Sequence, residues 1–338
     1  MSTGVLAQKP EQITVLGGGV AGLCVATELV NKGLTITVLE RQLAPGPGST
    51  SWWAGGMLAP FCEAESAEEA VVRYGQKAAK WWQDNTELVK QQGSMVLALG
   101  RDQADLQRFA KRTQNYDVLD AAGIAALEPD LAPKFSKALY YPSEAHLSPR
   151  EALSTLKEKL VAKGVKFVHE TAEPEALSHD SLVIDCRGIE AKPDISDLRG
   201  VKGEMLILNC PDVQLHRPIR LLHPRIPLYI VPRGDGIYML GATMVESNAK
   251  KHATARSVME LLNSAYALNP AFGEAEILEI GVNSRPAFAD NLPKIRHKNN
   301  VISANGLYRH GFLLAPTLAQ MVADYIYHGS KPEWFEPS

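Results

Sequence analysis

"ITVLGGGVAGLCVATELVNKGLTITVLE", residues 13–40, is the stretch on which the fold turns. It begins as a short β-branched run of the kind that forms a buried strand. It then passes through Gly17-Gly18-Gly19-Val20-Ala21-Gly22, a G-x-G-x-x-G loop, into a segment of helical length ending at Gly33. A second apolar strand, 34–40, closes on Glu40. In such a unit Gly17 permits the tight turn, Gly19 lets the backbone approach a pyrophosphate, and Gly22 lets helix and strand pack closely. The free N–H groups and positive dipole end of the helix face the phosphates. Glu40 stands about 20 residues beyond the loop, where a carboxylate accepts from ribose hydroxyls. The unit predicts dinucleotide binding.

The loop and Glu40 suit NAD and FAD equally. In a nicotinamide domain the alternation would continue into a third strand. Here it breaks into "RQLAPGPGST" (41–50), and Ser49, Thr50 and Ser51 bring hydroxyls that can meet phosphate oxygens. That favours a long, extended cofactor whose far end is held elsewhere in the chain, which FAD fits better.

Composition narrows the rest. The 338 residues are 45% hydrophobic, enough for one large domain or two ordinary ones. The net charge of −3 lacks the basic excess of a nucleic-acid surface. Cys24, Cys62, Cys186 and Cys210 form no C-x-x-C pair and have no His at ligand spacing, so neither a metal nor a disulfide framework is expected, and a cytoplasmic setting is. Residues 13–27 carry no charge but are too short to span a membrane and follow no basic leader.

Along the chain, residues 1–11 read as polar and loose, and 66–92 as one helix containing Trp81 and Trp82. Residues 94–100 read as a strand, 101–114 as a helix, 121–131 as a short helix with a turn, and 148–165 as an amphipathic helix with Pro149 in its first turn. "KFVHE" and "SLVIDCRG" (181–188) are strands able to rejoin the first sheet. "GEMLILN", "PLYIVPR" and "GIYMLGATM" read as an antiparallel sheet. Residues 257–268 are a helix, 299–306 a core strand, and 311–329 a helix closing on Gly329. The expected architecture is α/β: a Rossmann-like FAD-binding domain (1–60, 146–200, 285–338) interleaved with an α+β substrate domain (61–145, 201–284) built on an antiparallel sheet.

"STSWWAGGMLAP" (49–60), "YIVPRGDGIYMLGATM" (229–244), "SRP" (284–286) and "NGLYRHGFLLAP" (305–316), in this order after the glycine loop, resemble the D-amino-acid oxidase family of flavoproteins, and within it the glycine oxidases of bacterial thiamine biosynthesis. The resemblance runs from about residue 13 to 328. It implies non-covalent FAD held by Gly17, Gly19, Val20, Ala21, Gly22, Glu40, Arg41, Ser49, Thr50, Ser51, Gly55, Gly56, Met57, Glu173 and Gly188, and by Gly306, Leu307, Tyr308, Arg309, His310, Gly311, Phe312 and Leu313. Gly55, Gly56 and Met57 would pass beside the flavin ring, with the glycines admitting the ring and their bulky neighbours shutting out water. Trp52 and Trp53 read equally well as ordinary packing. The last helix would direct its positive end at the ring carbonyl where charge collects on reduction.

The resemblance also implies a substrate site. Arg285 would bind an amino acid carboxylate through its planar fork. Tyr229 would assist, Met244 would line the pocket, and Arg309 would lie near the substrate and the flavin edge. Arg233 reads as structural, and neither His310 nor His223 is needed as a base. The implied reaction is oxidation of glycine, sarcosine or D-alanine by hydride transfer to the flavin, with O2 as acceptor. It would yield glyoxylate, ammonia and hydrogen peroxide from glycine, or the imine used in thiazole synthesis. A homotetramer is implied as well. Pro227 and the missing glycine after Ile295 depart from the family's pattern and bear on substrate preference. A D-amino-acid or N-methyl-amino-acid oxidase of the same family is the nearest rival reading. A tRNA-modification flavoenzyme is a more distant one, against which the acidic balance speaks.

Overall fold

The computed structural model describes residues 12–42, 45–178, 181–223, 228–247 and 252–337. The expectations for residues 1–11 and for Pro227 lie outside the described residues. Two sheets organise the rest. The first has seven strands, in the order Phe335–Pro337, Lys294–Lys298, Val301–Asn305, Leu182–Asp185, Gln12–Leu16, Thr35–Glu40, Lys166–His169. From Val301–Asn305 through Lys166–His169 every pairing is parallel. Strand alternation sends Ile13, Val15, Ile36, Val38, Ile184 and Ile302 to one face, where they pack against Leu23, Leu153 and Leu318 of the helices Val20–Asn31, Pro149–Ala162 and Gly311–His328. Leu16, Leu39 and Val183 turn to the opposite face.

The last helix carries Pro316 in its interior. A proline there has no N–H to give the carbonyl of Phe312. The indole Nε1–H of Trp82 donates to that carbonyl instead, at 2.7 Å, while the indole stacks on the Phe312 ring. Trp81 turns the other way, its Nε1–H donating to Glu28 at 2.6 Å. The stretch 66–92 is not one helix: it divides into Glu69–Gly75 and Ala78–Thr86. Gly75 ends the first piece, and Leu313 fills the space beside its backbone where a side chain would stand.

The second sheet has nine strands. Next to one edge, Arg199–Asn209 pairs with Ile237–Gly241 on one side and with Glu276–Ala287 on the other, both antiparallel. The sequence reading missed Glu276–Ala287, because "EILEIGVNSRPA" shows no alternation and ends near a proline. Nor is this sheet wholly antiparallel. Ser94–Ala98 and Ile219–Leu222 pair in parallel, since they come from segments far apart in the chain and not from a hairpin. A second apolar cluster joins Leu206, Leu208, Leu221, Ile230 and Leu240 of this sheet to Leu261 of the helix Ala255–Leu268. Cys24, Cys62, Cys186 and Cys210 are all buried and free. Among the described residues no helix is long and apolar enough to cross a membrane, and no group of three His, Cys, Asp or Glu side chains is placed to hold a metal ion.

Candidate active site

A cavity of about 430 Å³ runs from the glycine loop of the first sheet to one face of the second. Glycines of the first loop line its nucleotide end. Gly17 adopts φ +97°, and a Cβ there would stand 2.8 Å from the carbonyl oxygen of Cys186. A Cβ on Gly22 would collide with the carbonyl oxygen of Gly17, so strand and helix approach each other only because it is absent. Gly19 is the N-cap and has no side chain to offer the helix. Ser51 supplies the cap from the next loop, its Oγ accepting from the Val20 N–H at 3.0 Å. Glu40 lines the cavity and accepts from the N–H of Gly18 through one carboxylate oxygen.

The other hydroxyls expected near phosphates bond within the chain. Ser49 Oγ accepts from the N–H of Ser51 at 3.3 Å. Thr50 Oγ1 lies 3.0 Å from Asn283 Oδ1 and 3.1 Å from the Ser284 carbonyl, tying this loop to the second sheet. Arg41 reaches the Gly48 carbonyl at 3.1 Å and Glu190 at 3.4 Å. Glu173 and Gly188 line the same end; Gly188 has φ +60°, and its carbonyl accepts from Asn305 Nδ2 at 2.9 Å.

The segment 52–57 has a more divided role than the sequence suggests. Gly55 and Met57 line the cavity, and a Cβ on Gly55 would stand 3.1 Å from the Tyr229 ring. Gly56 also lines it, yet its glycine requirement is internal: φ is +70°, and a Cβ would collide with the Leu147 carbonyl. Trp53 is both packing and wall. It is 9% exposed, its indole N–H donates to the Pro47 carbonyl at 2.9 Å, and it lines the cavity beside Met205. The guanidinium of Arg150 lies over both indoles, at 4.4 Å from Trp52 and 5.1 Å from Trp53. Arg233 is structural, as read: it donates to the carbonyls of Leu147, Ala54 and Gly55 and so holds this turn from behind. Burial and the nearby Arg150 pull its pKa down to about 10.

At the far end the cavity is made of side chains on the second sheet. Arg285, Tyr229 and Met244 all line it. The Arg285 Nη1 donates to the Thr243 carbonyl at 3.2 Å, and among the described residues no carboxylate pairs with this guanidinium. Tyr229 sits between Arg220 and Gly241 in strand register. Met244 is exposed at the rim, its sulfur 3.6 Å from the Tyr308 hydroxyl and 3.9 Å from Arg309 Nη1.

The segment 307–313 closes the cavity from the first sheet's side, and every one of its residues lines it. Gly306 does not; it is a glycine because φ is +86° and a Cβ would overlap the Phe288 ring. The sequence reading missed what this segment meets. Buried Glu63 receives Arg309 Nη2 at 2.8 Å, Arg220 Nη2 at 2.6 Å, and His310 Nε2 at 2.9 Å. Burial opposes ionisation of Glu63, but Arg309, Arg220 and the His310 hydrogen bond outweigh it and hold the carboxyl well below its usual range. Burial likewise lowers the His310 pKa and keeps the imidazole neutral. Neither "FCEAES" nor "PIRLLHP" carries a pattern that would have marked Glu63 or Arg220.

The residues present fit a dinucleotide. Gly19 leaves the loop without a side chain at the helix N-terminus, a carboxylate stands at Glu40, and the cavity continues to the second sheet, as an extended ligand needs. Comparison with known proteins points the same way. Residues 12–325 match the family described as FAD dependent oxidoreductase (DAO). The chain is 49% identical over 313 residues to a Rhizobium etli protein named as a thiamine biosynthesis oxidoreductase, ThiO, covering 92% of this chain and 95% of that one. It is 28% identical over 351 residues to the bifunctional protein ThiO/ThiG of Synechocystis, covering 94% of this chain and 52% of that protein. Its fold is similar to that of glycine oxidase from Geobacillus kaustophilus, with a TM-score of 0.78, 22% identity and coverage of 96% and 97% of the two chains.

Proposed function

The chain belongs to the DAO family of FAD-dependent oxidoreductases, and on that premise we propose that it oxidises glycine and similarly small amino acids at the Cα–N bond, in thiamine biosynthesis. The observation that carries this reading is the Arg285 guanidinium: it lies in the cavity at the end opposite the glycine loop and faces no protein carboxylate among the described residues. A fork of donors placed there binds a substrate carboxylate at two points. Tyr229 adds a hydroxyl on the same wall. Bound FAD would supply the two-electron acceptor, with O2 taking the electrons onward as hydrogen peroxide.

The chain's own residues orient the substrate. Holding the carboxylate on Arg285 turns Cα toward the middle of the cavity, the contribution expected from a protein whose cofactor carries the redox chemistry. Trp53, Met205 and Leu228 make the surrounding wall apolar and exclude water. Arg309 and Met244 close the rim. The products from glycine are glyoxylate and ammonia, or the imine if it is taken up before hydrolysis. The FAD domain is assigned to 1–60, 146–200 and 285–338, and the substrate domain to 61–145 and 201–284. A cytoplasmic homotetramer is the assembly supported by the family resemblance.

Anaerobic glycine should bleach the visible flavin spectrum of the purified protein, and in air a peroxide assay should respond to glycine. Failure of glycine, sarcosine and D-alanine all to bleach the flavin overturns the reading. Faster turnover of sarcosine or D-alanine than of glycine moves the assignment to another amine within the same chemistry. Arg285→Ala should raise KM for glycine by about 100-fold, the loss of a charged two-point contact. An unchanged KM removes Arg285 from this role.

A further inference from the structure

The wall that carries Arg285 and Tyr229 contains glycines that the backbone does not require. Gly203, Gly241 and Gly281 lie on three neighbouring strands, and none adopts the positive φ that favours glycine. Glycine in a strand interior weakens the strand and commonly marks close approach of another group. Each of the three has such a group. A methyl on Gly203 would overlap the Arg285 guanidinium, with even Nη1 only 2.7 Å away. A methyl on Gly241 would stand 2.8 Å from the Tyr229 hydroxyl oxygen and 2.9 Å from its ring. A methyl on Gly281 would overlap the Trp53 indole. Arg285 and Tyr229 of this wall, and Trp53 that packs on it, thus each lie against backbone that carries no side chain.

We propose that Gly203 and Gly241 are positioning residues that set the pose of Arg285 and Tyr229, and so the affinity and orientation with which a substrate carboxylate is bound. The inference rests on the carboxylate-binding reading of Arg285. A guanidinium is the far end of a flexible side chain, so a methyl at position 203 displaces it without moving the strand. The fold tolerates the change and the fork loses its aim. The Nη1 bond to the Thr243 carbonyl is the contact that breaks.

The test is made on the FAD-loaded protein with acetate, a carboxylate that has no amine to oxidise, titrated against the visible flavin spectrum. Gly203→Ala is expected to weaken acetate about tenfold and to raise KM for glycine more than it lowers kcat. Its flavin content and Tm should match those of Gly100→Ala, a glycine of ordinary φ with open space around it. Combined with Arg285→Ala it should cost little beyond Arg285→Ala alone, because the two act through one contact; additive losses overturn the proposal. So do wild-type acetate affinity in Gly203→Ala, or loss of flavin by that variant. Gly241→Ala repeats the test through Tyr229, with a smaller expected weakening of severalfold. If Arg285→Ala itself leaves acetate binding unchanged, the carboxylate reading falls and the proposal falls with it. If Arg285→Ala weakens acetate and Gly203→Ala does not, only the positioning role falls.

Discussion

The two ends of the cavity use glycine in opposite ways. At the nucleotide end the absent side chain makes room for the protein's own backbone: Gly22 for the Gly17 carbonyl and Gly17 for that of Cys186, as Gly56 does for Leu147 in the turn between the ends. At the substrate end it makes room for side-chain tips: Gly203 for a guanidinium, Gly241 for a phenol. The carbonyls of Gly17, Cys186 and Leu147 directly follow strands and move only with the backbone, whereas a side-chain tip can rotate away. The first end is thus a rigid cradle whose defects are structural, and the second a set of adjustable groups whose defects are chemical. The same division suits the ligands expected at each end. A pyrophosphate is met by fixed N–H groups, and a small carboxylate by a mobile charged fork.

Breaking the cradle should have the largest effect. Gly22→Ala forces a methyl into the Gly17 carbonyl, and strand and helix must part. Purified protein is expected to carry less than a tenth of the wild-type flavin by absorbance, with a markedly lower Tm; normal flavin content would erase the proposed difference between the two ends. At the side-chain end, Glu63→Gln removes the one carboxylate shared by Arg220 and Arg309. Leaving two half-buried guanidiniums without a counter-charge should cost about 2 kcal/mol in urea unfolding, while the glycine loop still binds FAD. Because the pKa of Glu63 is depressed in the fold, this stabilisation is present above its ordinary carboxylate range and is lost only as pH falls through the lower folded value.

A third change probes the turn between the ends. His146 pairs with Met57 in strand register, is 1% exposed, and has no partner for either ring nitrogen among the described residues. Burial, then Arg233, Lys90 and Arg217, pull its pKa from 6.5 down to about 3. Below 6.5 the unfolded chain takes up a proton that the folded chain refuses. Stability should therefore fall by about 1.4 kcal/mol per pH unit from this group as pH drops toward 3. His146→Leu should flatten the slope of unfolding free energy against pH between 6 and 4; an unaltered slope would show that the imidazole is not held neutral. The smallest effect belongs to Gly33→Ala, at a glycine with positive φ (+79°) and nothing to strike. Only left-handed strain of about 1 kcal/mol remains, read as a small drop in Tm with full flavin content.

How much of this was legible follows from the same division. The strand, glycine loop, helix, second strand and Glu40 were readable because they are contiguous and each position has one physical job. Misreadings arose where a local pattern was overridden from a distance. The packing of Leu313 against Gly75, where the helix breaks, and the pairing of Glu276–Ala287 with Arg199–Asn209 join segments remote in the chain. The glycines of "AGG" were expected to serve a ligand, yet Gly56 answers to Leu147.

By itself the chain determined the nucleotide cradle, because fixed backbone geometry demands particular residues at particular spacings. Only the tertiary structure decided the substrate end. Glu63, Gly203, Arg220 and Gly241 become a charge centre and two seats when strands remote in sequence lie side by side, and no spacing along the chain records who will be a neighbour across a sheet.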